Sequence, residues 1–104
     1  MFEKDLSLSL LYDLYSPLLS EKKRQVFEGY FLSDLSLAEI AAETGTSRQA
    51  VRDLIERTKG ELLGFEEKIG LLKKRKKLLS LCDVLSDALP EEKEKLIGEI
   101  KEIL

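Results

Sequence analysis

Leu37-Ala38-Glu39-Ile40-Ala41-Ala42-Glu43-Thr44-Gly45-Thr46-Ser47-Arg48-Gln49-Ala50-Val51-Arg52-Asp53-Leu54-Ile55 reads as two short helices joined at a glycine. Apolar residues recur at three- and four-residue steps on both sides of Gly45, which is the period of an amphipathic helix. Just upstream, Ser36-Leu37-Ala38-Glu39 fits a capping box: the serine oxygen accepts from the amide of Glu39, and the carboxylate accepts from that of Ser36. Thr44-Gly45 ends the first helix, because glycine takes the left-handed conformation that a tight inter-helix turn requires. Ser47 then caps the second. Helices that cross steeply need a small residue at closest approach, which Ala41 supplies, and apolar anchors, which Leu37, Ile40, Val51, Leu54 and Ile55 supply. The second helix opens on Ser47, Arg48 and Gln49, polar and projecting, with Arg52 and Asp53 one turn later. Together these meet the requirements of a helix-turn-helix, whose second helix presents its first residues to the DNA major groove. The same residues also suit an ordinary helical hairpin, and the same fold serves elsewhere as a protein-docking module.

Upstream of this motif the period stays helical. A helix is expected over about Leu6–Tyr15, with Leu10, Leu11, Leu14 and Tyr15 as its stripe, ended by Ser16-Pro17 because the residue before proline leaves the helical region. Ser20 caps a second helix to about Phe31, facing inward with Val26, Phe27, Tyr30 and Phe31. Tyr12, Tyr15, Phe27, Tyr30 and Phe31 would suit a stacking platform for single strands, but at helical spacing they read as core.

Downstream, the helix begun at Ser47 continues through Arg57. Gly60, Gly64 and Gly70 each weaken helix by about 1 kcal/mol relative to alanine. Even so, Leu62, Phe65, Ile69 and Leu72 keep the spacing, predicting a long, bent helix to about Leu79. Pro90, followed by Glu91 and Glu92, opens a last helix lined by Leu96, Ile97, Ile100, Ile103 and Leu104. The expected fold is therefore all-α, with a helix-turn-helix domain over residues 1–60 and a C-terminal helical extension over 61–104, a dimerisation region. Its stripe of Leu62, Phe65, Ile69, Leu72 and Leu79 has the steps of a helix-packing seam. The plainer reading is that the last helix folds back and buries that stripe within one chain.

Composition narrows the function. The chain has 104 residues, is 43% hydrophobic and 36% charged, and lacks histidine, which removes the commonest general base and metal ligand. With one cysteine, neither a zinc site nor a Cys-His pair can be assembled, so neither an enzyme nor a cofactor is expected. Cys82, among Leu81, Val84 and Leu85, reads as a small buried hydrophobe. No run approaches the roughly twenty apolar residues of a membrane span. The start MFEKDLSLSLL lacks the basic-then-apolar order of a signal peptide, so a cytoplasmic protein is expected. Net charge is −3, yet residues 1–46 sum to −4, residues 47–77 to +5 and residues 78–104 to −4, a basic centre between acidic ends.

The stretch from Leu18 to Lys59 resembles the promoter −35-reading region (region 4) of bacterial sigma factors. More closely, Tyr12-Asp13, Leu18-Leu19, Tyr30, Ser36-Leu37, Glu39-Ile40-Ala41, Ser47-Arg48-Gln49-Ala50-Val51 and Leu71-Leu72 resemble the YlxM/p13 family of helix-turn-helix proteins. The likeness covers most of residues 8–80. It implies a bacterial DNA-binding regulator. Genes of that family commonly neighbour those of the signal recognition particle, so the resemblance also implies a link to that protein-targeting pathway, with a component of the particle as a partner.

On duplex DNA, Arg48 suits guanine and Gln49 adenine, each pairing contributing about 1–3 kcal/mol of discrimination. Ser47 and Arg52 suit phosphates, with Lys22, Lys23, Arg24 and Lys59 as outer contacts. Each is equally at home as a solvated helix-surface residue. Asp53 and Glu56 are unhelpful near phosphate. Together with the acidic pI they favour the alternative, an adaptor that binds a protein or ribonucleoprotein of the targeting machinery without reading a DNA sequence. The run Lys73-Lys74-Arg75-Lys76-Lys77 reads as a solvated face or as a phosphate or anionic-membrane contact. A small module with few basic contacts binds DNA weakly as a monomer, so a homodimer is expected.

Overall fold

The first helix, α1 (Leu6–Tyr15), gives way at Pro17 to a single 3-10 turn over Ser16–Leu18. Next comes α2 (Glu21–Phe31), capped by the Ser20 side chain accepting from the Lys23 amide at 3.3 Å. The structure is a computed structural model and describes residues 6–104. The reading of the opening MFEKD against a signal peptide therefore lies outside the described residues.

The face of α1 is rotated from the one expected. Leu8, Leu11, Tyr12 and Tyr15 are buried, while Leu10 and Leu14 are half-buried flanks. A helix this rich in leucine offers apolar residues on several sides, and its neighbours select among them. Tyr12 and Tyr15 win because each has an aromatic ring to pack on and an acidic partner for its hydroxyl. Tyr12 stacks on Phe27 with ring centres 4.5 Å apart and donates to Glu28 at 2.6 Å. Burial, reinforced by that carboxylate, pushes the Tyr12 hydroxyl well above its ordinary pKa.

The quoted motif folds as its local chemistry dictates. α3 (Leu37–Thr44) carries the full capping box, with Glu39 N to Ser36 Oγ at 3.1 Å and Ser36 N to Glu39 Oε1 at 3.2 Å. Gly45 follows at φ 68°, left-handed. Ser47 caps α4 (Arg48–Ile69), its oxygen accepting from Ala50 N at 3.0 Å. Val26, Tyr30, Ile40, Ala41, Val51 and Ile55 form one buried cluster, with Phe31, Leu35, Leu37 and Leu54 packed against it.

Because α4 extends 22 residues, its second half meets α1. Leu62 is fully buried, Phe65 lies 5.8 Å from the Tyr15 ring, and Glu66 accepts from the Tyr15 hydroxyl at 2.8 Å. Thr58, also buried, donates to Leu54 O at 2.8 Å, which satisfies its hydroxyl inside the helix.

The chain divides into two compact units, one ending at Ile69 and the other spanning Gly70–Leu104. The boundary expected at residue 60 thus moves to Gly70, because α4 runs unbroken through Gly60 and Gly64. Gly70 adopts φ 71° and interrupts the helix, so the long, bent helix expected to Leu79 is two helices. The second unit pairs α5 (Leu71–Asp87) with α6 (Pro90–Ile103). Pro90 lies in the first turn of α6 with Glu91 and Glu92, as expected. Cys82 is exposed, against the expectation of a buried residue. Among the described residues there is no strand, and no helix is long and apolar enough to cross a membrane.

The glycines make opposite predictions. A Cβ at Gly45 or at Gly60 would meet nothing within 4 Å, so each substitution reports on backbone alone. Gly45→Val should destabilise by about 2 kcal/mol, since β-branched residues resist the left-handed region. Gly60→Ala should stabilise by up to about 1 kcal/mol, the helix-propensity difference. Chemical denaturation of both variants reads the two signs, and a Gly45→Val protein as stable as the parent would refute the strained-turn account.

Candidate nucleic-acid interface

The turn at Gly45 determines what α4 shows to solvent. Gly45 accepts left-handed geometry and Ala41, itself buried, leaves room at the crossing, so α4 starts clear of α3. Val51 and Ile55 point inward, while Ser47, Arg48, Gln49, Arg52 and Asp53 are exposed. Ser47 uses an oxygen lone pair as the helix cap and still has its hydroxyl hydrogen to donate. Gln49 is held one turn along its own helix, with Nε2 donating to Asp53 Oδ1 at 2.9 Å.

The outer cations separate into two sets. Lys22, exposed at the start of α2, lines a concavity of about 250 Å³ with Thr44, Thr46, Asp53 and Arg57. It therefore stands beside the exposed start of α4. Lys23 is turned the other way and pairs with Glu61 of α4, which ties α2 to α4 and withdraws that ammonium from the proposed surface. Arg24 is half-buried. Lys59 lies 3.7 Å from Glu56, a further cation engaged along its own helix.

Arg57 and the threonines flanking the turn were not singled out from sequence. Arg57 follows Arg48 by nine residues, half a turn out of phase, so a one-sided reading of α4 passes over it. The signal was present in Thr44 and Thr46, which bracket Gly45 and hydrogen-bond each other at 2.9 Å.

The expected dimerisation stripe does not form one free face. Leu62 and Leu72 are buried and Phe65 is half-buried against Tyr15, leaving Ile69 and Leu79 exposed. The reason is the packing of the second half of α4 on α1, which takes up Leu62 and Phe65 within the first unit.

These geometries are those of a helix-turn-helix module, and comparison with known proteins agrees. A family model described as "Putative helix-turn-helix protein, YlxM / p13 like" matches residues 2–103. The chain belongs to this UPF0122 family. Similar members are a UPF0122 protein of Symbiobacterium thermophilum, 43% identical over 82 residues covering 79% of this chain and 77% of the relative. One of Clostridium kluyveri is 38% identical over 103 residues, covering 95% and 93%. Another, of Clostridium botulinum, is 53% identical over 72 residues, covering 69% and 66%. The YlxM-like family is named for its helix-turn-helix and not for any reaction.

Proposed function

We propose that the chain is a helix-turn-helix regulator that binds duplex DNA, with the start of α4 in the major groove. The observation that carries this reading is the pairing of a left-handed Gly45 with a Ser47-capped helix whose first polar side chains all face solvent. Arg48 and Gln49 read base edges, and Ser47, Arg52, Lys22 and Arg57 face phosphates. Asp53 and Glu56 oppose the phosphate backbone and keep affinity modest. The test is a salt titration of duplex binding. Each phosphate neutralised contributes about 0.9 to the slope of log affinity against log salt, so three or four contacts per protomer give roughly −3. Binding with no salt dependence would overturn the reading.

Two copies make such weak half-interfaces useful, since each reads its own half-site. Support comes from the Gly70–Leu104 unit, where Leu79, Val84, Leu89 and Ile97 are exposed and only Leu72 is buried. A 35-residue helical hairpin is too small to hide its own apolar surface, and an exposed apolar patch of this kind marks an association site. Light scattering should give about twice 11.8 kDa, and Leu79→Glu/Val84→Glu should return the monomer. A monomeric parent at micromolar concentration would sink the dimer.

The acidic residues on α4 favour a second reading, an adaptor that docks on a protein or ribonucleoprotein of the signal recognition particle pathway. Capture from a bacterial lysate with and without nuclease separates it from the first. A protein partner retained after nuclease, with no duplex binding by the pure chain, would favour the adaptor.

A further inference from the structure

Asp53 is the residue on α4 that a DNA-binding surface should least want. It is acidic, exposed, and one helical turn beyond Gln49 on the side offered to phosphates. Its hydrogen bond with Gln49 explains its place there. Gln49 Nε2 lies 2.9 Å from Asp53 Oδ1. A carboxylate only accepts hydrogen bonds, so the carboxamide of Gln49 has one permitted orientation, with nitrogen toward Asp53 and Oε1 turned away. A free glutamine would sample both faces of its amide and several rotamers.

Resting on the duplex-binding reading, we propose that Asp53 is a positioning residue that sets the base specificity of Gln49. The amide nitrogen carries two hydrogens. With one donated to Asp53, the other N–H and Oε1 remain for a base edge. That pair matches adenine, whose N7 accepts while its N6 amino group donates. The flipped amide, which would offer these groups in reverse order, is excluded by the carboxylate. Asp53 thus trades attraction to the backbone for selectivity at one base pair: it repels every phosphate equally and orients one reader specifically. An i,i+4 Gln–Asp bond also supports an isolated helix slightly. That role alone would affect all DNA sequences alike, which makes the two separable.

The experiment selects binding sites from a randomised duplex pool with the full-length protein, then measures affinity for the preferred site and its single-base variants at fixed low salt. Asp53→Ala should cut discrimination at one A·T pair about tenfold, within the range a bidentate contact provides. Mean affinity for unselected duplex should stay level or rise, since a negative charge has gone. Asp53→Asn should fall between, because its carboxamide can still accept from Gln49 but can also donate to it. Gln49→Ala should lose the same discrimination, and adding Asp53→Ala to it should cost no more. Circular dichroism confirms that each exposed-site variant folds. Unchanged discrimination in Asp53→Ala, or an equal loss across all sequences, overturns the positioning role and leaves duplex binding standing. If the parent protein binds no duplex at low salt, both this role and the reading beneath it fail.

Discussion

Ile55→Ala should cost about 3 kcal/mol of stability, within the range of about 2–5 for truncating a buried isoleucine. Ile55 is 0% exposed and belongs to the cluster in which α2, α3 and α4 meet, together with Val26, Tyr30, Ile40, Ala41 and Val51. Alanine there removes three carbons from a site closed on every side. The cavity cannot easily collapse, because Tyr30 and Ile40 are themselves fixed by their own helices. For a unit of this size the midpoint of thermal unfolding should fall by roughly 10–20 °C. Since domains are stable by only about 5–15 kcal/mol, the variant keeps a fold with little margin. Denaturant titration followed by helical circular dichroism measures the effect. A loss under about 1 kcal/mol would mean that α4 does not pack as described.

Arg48→Ala/Gln49→Ala should lower affinity for a preferred duplex by about a hundredfold while leaving stability within about 0.5 kcal/mol. Both side chains are exposed and neither is part of the buried cluster, so the fold does not depend on them. On DNA each would lose a bidentate base contact of about 1–3 kcal/mol. The salt slope should stay near its parental value, because neither side chain is assigned to a phosphate, whereas Arg52→Ala or Arg57→Ala should lower it by about one. Lys23→Ala provides the contrast. Its partner is Glu61, so its removal should disturb the α2–α4 packing slightly and leave affinity for the preferred duplex unchanged. Gel-shift or anisotropy titrations at several salt concentrations distinguish the two cases. Unchanged affinity of the Arg48/Gln49 variant for the preferred duplex would place the base contact elsewhere.

The contrast between Arg48 and Lys23 shows how far the sequence reaches. As basic residues on predicted helices they are equivalent candidates. Arg48 is exposed because it is the first residue after a capped turn, a position readable from Ser47 and Gly45 alone. Lys23 is engaged because Glu61, 38 residues away, is brought to it by the packing of α2 on α4. Nothing near Lys23 in the chain announces that.

Local chemistry by itself determined the punctuation of this protein. Ser20, Ser36 with Glu39, Ser47, Pro17 and Pro90 start or stop helices through atoms within four residues of themselves, and Gly45 turns the chain because only its own backbone conformation is at issue. The helix-turn-helix was legible for the same reason. Tertiary structure decided whatever depended on distant neighbours. It chose Gly70 over Gly60 and Gly64 as the break, because Leu62, Phe65 and Glu66 pack against α1 and hold the helix through the first two. It also turned Tyr12 rather than Leu10 inward. Helix period is a property of a segment, but the face that is buried, and the residue at which a long helix yields, follow from which surfaces the rest of the chain brings to meet it.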